Sequence, residues 1–126
     1  MRAVDTNVLV RLLTRDDPKQ TAAAERFVEA GAWISQVVLT EAMWVLRSVF
    51  DRDASDLANA VELLLNHRHL SLQDADVVAA AVQQFRRRPA LGFADCLVLE
   101  IARKAGHLPL GTFDRTLARI DGAERL

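Results

Sequence analysis

The chain begins Met1-Arg2-Ala3-Val4-Asp5-Thr6-Asn7-Val8-Leu9, and this stretch decides the fold prediction. Ala3 and Val4 indicate a short buried strand, and the apolar run that resumes at Val8 indicates the start of a helix. An acid between a strand and the helix that follows it lies at the carboxyl edge of a sheet, where open α/β sheets bind ligands. The stretch therefore predicts that Asp5 belongs to a ligand site.

Short apolar segments alternate with longer amphipathic segments along the rest of the chain. Further strands are predicted at 33–35, 70–72 and 108–110, and helices at 7–14, 18–30, 36–50, 56–66, 74–87 and 94–104. The helix at 18–30 follows Asp17, a favoured capping residue, and begins with Pro18, which is favoured at the first helical position. Alternation of strands and helices predicts an α/β sandwich with a parallel sheet, formed as a single domain over residues 1–126.

Composition favours an ordinary globular protein. Of the 126 residues, 51% are apolar and 26% charged, and the net charge of −1 gives no global basic field for a nucleic acid. Cys96 is the single cysteine, which excludes an internal disulfide and fits a reducing compartment. No apolar run approaches the roughly 18 residues needed to span a bilayer. We therefore expect a soluble, cytoplasmic protein with no membrane partner.

Three more acids lie in settings similar to that of Asp5: Glu41, Asp95 and Asp114. Each also has an ordinary interpretation. Glu41 lies at the border of a predicted apolar stripe (38, 42, 45, 46 and 49) and could simply reach water. Asp95 and Asp114 could cap helices, and Asp5 could form a turn with its own backbone.

One shared cause explains all four acids more economically than four separate ones. Two carboxylates about 4 Å apart repel by roughly 4 kcal/mol at an effective dielectric of 20, so a cluster needs protons or a cation. Oxygen ligands favour Mg²⁺ or Mn²⁺ over zinc, and His67, His69 and His107 show no zinc-ligand spacing with Cys96. A magnesium cluster at a sheet edge is typical of phosphate chemistry.

At four places the chain resembles the PIN-domain ribonucleases, and among them the VapC toxins of toxin–antitoxin pairs. The resembling segments are Val4-Asp5-Thr6-Asn7-Val8-Leu9, Val38-Leu39-Thr40-Glu41-Ala42-Met43-Trp44-Val45-Leu46, Gly92-Phe93-Ala94-Asp95-Cys96-Leu97 and Gly111-Thr112-Phe113-Asp114-Arg115. Each motif alone is weak, but their order, spacing and coverage of nearly the whole chain are specific. At Cys96 the chain departs from the small alanine more usual in the family, and we expect packing to absorb the change.

The resemblance implies a PIN-like α/β/α sandwich with a short-stranded, mainly parallel central sheet. It also implies a Mg²⁺ or Mn²⁺ site in an acidic pocket, with Asp5 and Asp95 as the firmest ligands and Glu41 and Asp114 completing it. The polar residues expected to hold these carboxylates in place are Thr6, Asn7 and Thr112. The implied reaction is hydrolysis of an RNA phosphodiester by metal-activated water. The implied partners are an RNA substrate, a second copy in a homodimer, and a VapB-like antitoxin protein that enters the groove.

Basic and aromatic residues give weaker signals. Arg11 and Arg15 lie one helical turn apart after Asp5 and are candidates for contact with RNA phosphates. Trp33 and Trp44 are expected in the core or a dimer contact rather than in base stacking.

Two other functions remain open. A phosphatase of the haloacid dehalogenase type also places an aspartate after its first strand, but Asn7 stands where that family needs a second one. A non-catalytic PIN-like binding module is disfavoured by the presence of all four acids.

Overall fold

The computed structural model describes residues 1–126, which form two compact units, Met1–Ala75 and Asp76–Leu126. The first unit contains β1 (Arg2–Ala3), α1 (Thr6–Thr14), α2 (Pro18–Val28), β2 (Ala32–Ile34), α3 (Gln36–Ser48), α4 (Ala54–Leu65) and β3 (Leu70–Leu72). The second contains nearly all of α5 (Ala75–Arg87), then α6 (Phe93–Ala105), β4 (Leu110–Thr112) and β5 (Ala123–Arg125), with short 3₁₀ turns at Pro89–Leu91 and Leu117–Arg119. None of the helices is both long and apolar enough to cross a bilayer.

The first unit is organised around a three-stranded parallel sheet in the order β1-β2-β3. Ala32 pairs with Arg2 on one side and with Leu70 on the other. Ile34 pairs with Leu72 further along the same two strands. Of these paired residues only Arg2 is exposed, and the others are buried. Helix α1 packs against both α2 and α3, so the end of β1 leads directly into the helical layer.

The second unit has its own two-stranded parallel sheet, in which β4 pairs with β5 from Leu110 to Thr112. Its helices meet through an edge-to-face contact between Phe85 of α5 and Phe93 of α6, whose ring centroids are 6.1 Å apart. Both rings are buried, so they anchor the start of α6, the helix that carries Asp95.

Local signals explain where the helices begin. Asp17 caps α2 by accepting the N–H of Gln20 at 3.0 Å, and Pro18 is the first helical residue, as predicted. Ser35 caps α3 by accepting the N–H of Val38 at 3.1 Å. The predicted α/β fold with short parallel strands is confirmed.

Four predictions about the elements are wrong. The first strand is Arg2–Ala3, and both residues are exposed, whereas a buried strand was predicted at Ala3 and Val4. The second strand is Ala32–Ile34 rather than 33–35. The fourth strand is Leu110–Thr112 rather than 108–110, because Pro109 has no N–H to give to a ladder and the first ladder bond is made by the N–H of Leu110 to the carbonyl of Gly122 at 2.8 Å. The buried stripe of α3 is also rotated by one residue from the predicted one: it consists of Leu39, Ala42, Met43 and Leu46.

Candidate acidic active site

Asp5 lies at the junction between β1 and α1, as the sequence predicted. It is the N-cap of α1, and its Oδ1 accepts the backbone N–H of Val8 at 3.1 Å. The turn interpretation is therefore correct, but it accounts for only one of the two carboxylate oxygens. A capping role and a ligand role are compatible at this position.

Thr6 connects the junction to Glu41. The Thr6 hydroxyl donates a hydrogen bond of 2.9 Å to Oε2 of Glu41, which lies 35 residues further along on α3. Because Thr6 directly follows Asp5, this bond holds the Glu41 carboxylate beside the end of β1. The structure thus brings Asp5, Thr6 and Glu41 together in the first unit.

Glu41 lies on the outer face of α3 rather than at the border of the buried stripe. Its neighbours on that face are Val37 and Trp44, which are 74% and 66% exposed. The rotation of the buried stripe explains this position, because burial of Leu39 and Met43 turns residues 37, 41 and 44 outward together. Trp44 is therefore not part of the core, and a role in a dimer contact stays a prediction.

A cleft of about 390 Å³ opens beside Asp5 between α1 and α2. It is largely apolar, with the carboxylate of Asp5 among a few polar groups. The residues that line it are Asp5, Asn7, Val8, Arg11, Gln20, Ala23, Ala24 and Phe27. Asn7 is thus placed next to Asp5, where the sequence predicted a supporting polar residue, but its supporting role stays a prediction.

The two arginines proposed for RNA contact are both engaged within the first unit. Arg11 donates to Oε1 of Gln20 at 2.6 Å and to Oδ1 of Asp16 at 3.2 Å. Arg15 pairs with Glu25. A phosphate would therefore compete with existing carboxylate partners at both positions, and the predicted RNA contacts stay untested.

Asp95 lies in the first turn of α6, in the second unit. It does not cap the helix, because the N-cap position is occupied by Gly92 in a backbone conformation of φ 80°. The residue as a whole remains exposed, yet partial burial of the carboxyl group raises its pKa, and the negative charge of Asp114 raises it further. The structure therefore brings Asp95 and Asp114 close enough to repel.

Asp114 is held by a compact turn after β4. Its Oδ1 accepts the N–H groups of Thr116 and Leu117 at 2.8 and 2.9 Å, so that oxygen closes the turn that leads into the 3₁₀ segment, whose N-cap position is Thr116 rather than Asp114. Its own N–H donates to Oγ1 of Thr112 at 3.0 Å. Thr112 therefore positions Asp114 through the backbone rather than through the carboxylate.

The acids are presented as two pairs, Asp5 with Glu41 and Asp95 with Asp114. No group of three or more acidic, histidine or cysteine side chains is arranged to hold a metal ion. The donors in both pairs are carboxylate oxygens, which fit Mg²⁺ or Mn²⁺ better than a softer metal. Convergence of the two pairs on one cation stays a prediction.

A comparison with protein families decides what kind of domain carries these acids. The PIN domain family matches residues 2–123, which include all four acids and span both units. This chain belongs to the PIN domain family. PIN domains are generally nucleases, which hydrolyse phosphodiester bonds. No curated protein matches the chain significantly.

Within this PIN domain, the Cys96 side chain fits into the core, as expected. The side chain is completely buried on the inner face of α6. Burial raises the pKa of its thiol to about 11, with smaller contributions from the charges of Asp95 and Glu100. The thiol is therefore a packing group that supports the position next to Asp95.

Sequence reasoning missed an ion pair that supports the end of the PIN domain. Glu100, which is buried, accepts from Nε of Arg103 at 3.0 Å, and Arg103 also donates to the carbonyl of Asp121 at 2.6 Å. The guanidinium lies against Gly122, where an added Cβ would approach Nη1 to 3.1 Å. The i, i+3 spacing of Glu100 and Arg103 was the available signal, but the link to residues 121–122 is visible only in three dimensions.

Proposed function

We propose that this PIN domain is a Mg²⁺- or Mn²⁺-dependent endoribonuclease and the toxin component of a toxin–antitoxin pair. The observation that carries the proposal is that all four acids fall within the family match, and that the carboxylates of three of them are held by hydrogen bonds. Asp5 is fixed by its helix, Glu41 by Thr6, and Asp114 by its turn. A non-catalytic relative would have no need to hold exposed, mutually repelling carboxylates in place.

In this proposal the metal-binding carboxylates of the PIN domain are those of Asp5, Glu41, Asp95 and Asp114. Asp5 and Asp95 are the principal ligands, and Glu41 and Asp114 complete the centre or orient the attacking water. When bound, the cation activates that water and stabilises charge on the leaving oxygen. Partial burial, and to a smaller extent the charge of Asp114, raise the pKa of Asp95, and a cation beside Asp95 would oppose both effects.

The chain's own residues prepare this chemistry in two ways. Capping of α1 uses one oxygen of Asp5 and orients the other, because the bond to Val8 fixes the plane of the carboxylate. The Thr6 hydroxyl restricts Glu41, an otherwise exposed side chain, to one arrangement. Such supporting bonds typically change metal affinity or activity by about 10- to 100-fold.

The proposed partners are an RNA substrate, a second copy of the chain and a VapB-like antitoxin, all in the cytoplasm. Val37 and Trp44 support the homodimer, because two large apolar side chains on one exposed helical face are costly to leave in water. The antitoxin is proposed from the family resemblance alone.

The test compares two aspartates with the same structural role. Asp5→Asn and Asp17→Asn both replace an N-cap aspartate, and asparagine caps about equally well, so both variants should fold. We expect cleavage of labelled RNA by the wild-type chain and by Asp17→Asn in Mg²⁺, loss of cleavage in EDTA, and loss in Asp5→Asn. Equal cleavage by the two variants would exclude Asp5 from the metal centre.

The alternatives give different results in the same assay. The haloacid dehalogenase interpretation loses its basis, because the chain belongs to another family. A binding module would leave RNA intact in every metal while remaining folded. Intact RNA with the folded wild-type chain, over a range of RNA substrates, would favour that function.

A further inference from the structure

Phe113 is a highly exposed aromatic side chain located next to a candidate catalytic acid. It is 81% exposed and directly precedes Asp114. The other aromatic residues of the second unit, Phe85 and Phe93, are buried in its core. Phe113 is therefore the aromatic side chain of this unit that its core does not use.

The backbone on both sides of Phe113 is ordered by hydrogen bonds. On one side, the carbonyl of Thr112 accepts the N–H of Leu126 at 2.9 Å, and its hydroxyl accepts the N–H of Asp114 at 3.0 Å. On the other side, Asp114 binds the N–H groups of the next turn. The ring is thus presented to solvent from a fixed position.

Arg115 is an exposed cation on the other side of Asp114. Arg11, Arg15 and Arg103 all have acidic partners, whereas Arg115 forms no ion pair and no side-chain hydrogen bond. Its charge is therefore available to an anionic ligand. Along the chain, an exposed ring and an exposed guanidinium therefore directly flank a candidate catalytic carboxylate.

We propose that Phe113 and Arg115 form a subsite for one unpaired nucleotide of the substrate, next to the Asp95–Asp114 pair. The ring stacks on the base and the guanidinium contacts a neighbouring phosphate, as in single-stranded RNA recognition. This inference rests on the proposed function and specifies its substrate. Stacking at this subsite requires an unpaired nucleotide, because a base within a duplex has both faces covered by its neighbours.

The first test measures RNA binding without cleavage. Fluorescence anisotropy is recorded with a labelled single-stranded RNA and the Asp5→Asn chain in Mg²⁺, with and without Phe113→Leu, Phe113→Trp or Ile101→Ala. Leucine keeps apolar surface but cannot stack, so Phe113→Leu should weaken binding by about 5- to 150-fold. Phe113→Trp should restore binding. Ile101→Ala, which truncates a partly exposed apolar side chain on α6, should have no effect.

The second test asks whether Phe113 acts on a base. An abasic nucleotide is moved along the RNA one position at a time. At one position the abasic nucleotide should weaken binding to the Asp5→Asn chain. At the same position it should change the affinity of the chain that also carries Phe113→Leu very little, since that chain has already lost the ring on which the base stacks. Arg115→Gln should instead reduce the slope of log K against log salt by about 0.7, the value for one phosphate of a single strand.

Several outcomes would overturn the inference: unchanged affinity of Phe113→Leu, an equal effect of the abasic scan in both chains, or equal affinity for duplex and single strand. A shift of Phe113→Leu from dimer to monomer in analytical ultracentrifugation, with RNA affinity unchanged, would assign the ring to a protein contact instead. Failure of the proposed function is distinguishable, because it appears as absent cleavage by the wild-type chain whatever the binding data show.

Discussion

The bond between Thr6 and Glu41 allows a sharp test of whether the first acidic pair is functional. Thr6→Val keeps the branched shape of the side chain and removes only the hydroxyl that donates to Glu41 at 2.9 Å. Glu41 is exposed and Thr6 half-buried, so water replaces most of the lost bond. We therefore expect the free energy of unfolding to fall by about 1 kcal/mol or less, which lowers the melting temperature by less than about 5 °C.

The expected loss of activity is larger than the loss of stability. Removal of a hydrogen bond that orients a metal-binding or water-orienting carboxylate typically reduces activity by about 10- to 100-fold, which is about 1.4 to 2.7 kcal/mol of transition-state stabilisation. The measurements are the rate of Mg²⁺-dependent cleavage of labelled RNA and the melting temperature by calorimetry. Comparison of the two separates an effect on catalysis from an effect on folding.

Thr14→Val is the matched control for Thr6→Val. Thr14 lies at the other end of α1, and its one hydroxyl proton has two acceptors within reach, Oδ1 of the exposed Asp16 at 2.8 Å and the carbonyl of Val10 at 2.9 Å. We expect this variant to keep full activity while losing some stability. Equal activity of the two variants would refute the reasoning, because the position of the Glu41 carboxylate would then be irrelevant to cleavage.

Three further predictions concern the second unit. Asp95→Asn should be more stable than the wild type at neutral pH. The folded-state pKa of Asp95 is raised, so ionisation of this residue reduces the free energy of unfolding as pH rises from the ordinary pKa of 3.8 through the raised value. The difference in stability between the two chains, measured by urea titration, should therefore vanish below pH 3.8. A constant gain at every pH would contradict this. Gly122→Ala should destabilise by about 1 to 3 kcal/mol in chemical denaturation, because φ is 98° and the new Cβ meets Arg103 at 3.1 Å; an unchanged midpoint would count against it. Cys96, buried with a pKa of about 11, should react with a thiol reagent only on unfolding, so rapid labelling of native protein would be the contrary result.

Much of the fold could be predicted because its signals are local. Leu70–Leu72 was predicted with its observed bounds, since an alternating apolar pattern is read directly from three consecutive residues. The start of α2 was predicted because Asp17 and Pro18 satisfy the first helical turn by themselves. The position of Asp5 between a strand and a helix also follows from its neighbours in the sequence, and it does not depend on how the rest of the chain folds.

The rest depends on contacts between distant residues. Strand β5 is mostly exposed, so its sequence carries no apolar pattern, and it becomes a strand only by pairing with β4. The outward direction of Glu41 depends on which neighbouring residues α1 and α4 bury. Phe113 lies within one of the sequence motifs, but the sequence predicted no role for it. Its exposure follows from the turn around Asp114 and not from its neighbours in the sequence.

The shortness of β1 makes the neighbourhood of Asp5 a site of local opening. Only Arg2 and Ala3 form the strand, and the N–H of Val4 is held to the carbonyl of Trp33 by a single bond of 3.2 Å. A segment with so few bonds exchanges its amide protons more readily than the sheet interior. A ligand that binds only the closed form lowers the population of the open form. Binding of Mg²⁺ at Asp5 should therefore slow deuterium exchange at the amide of Val4, even in a variant that cleaves no RNA.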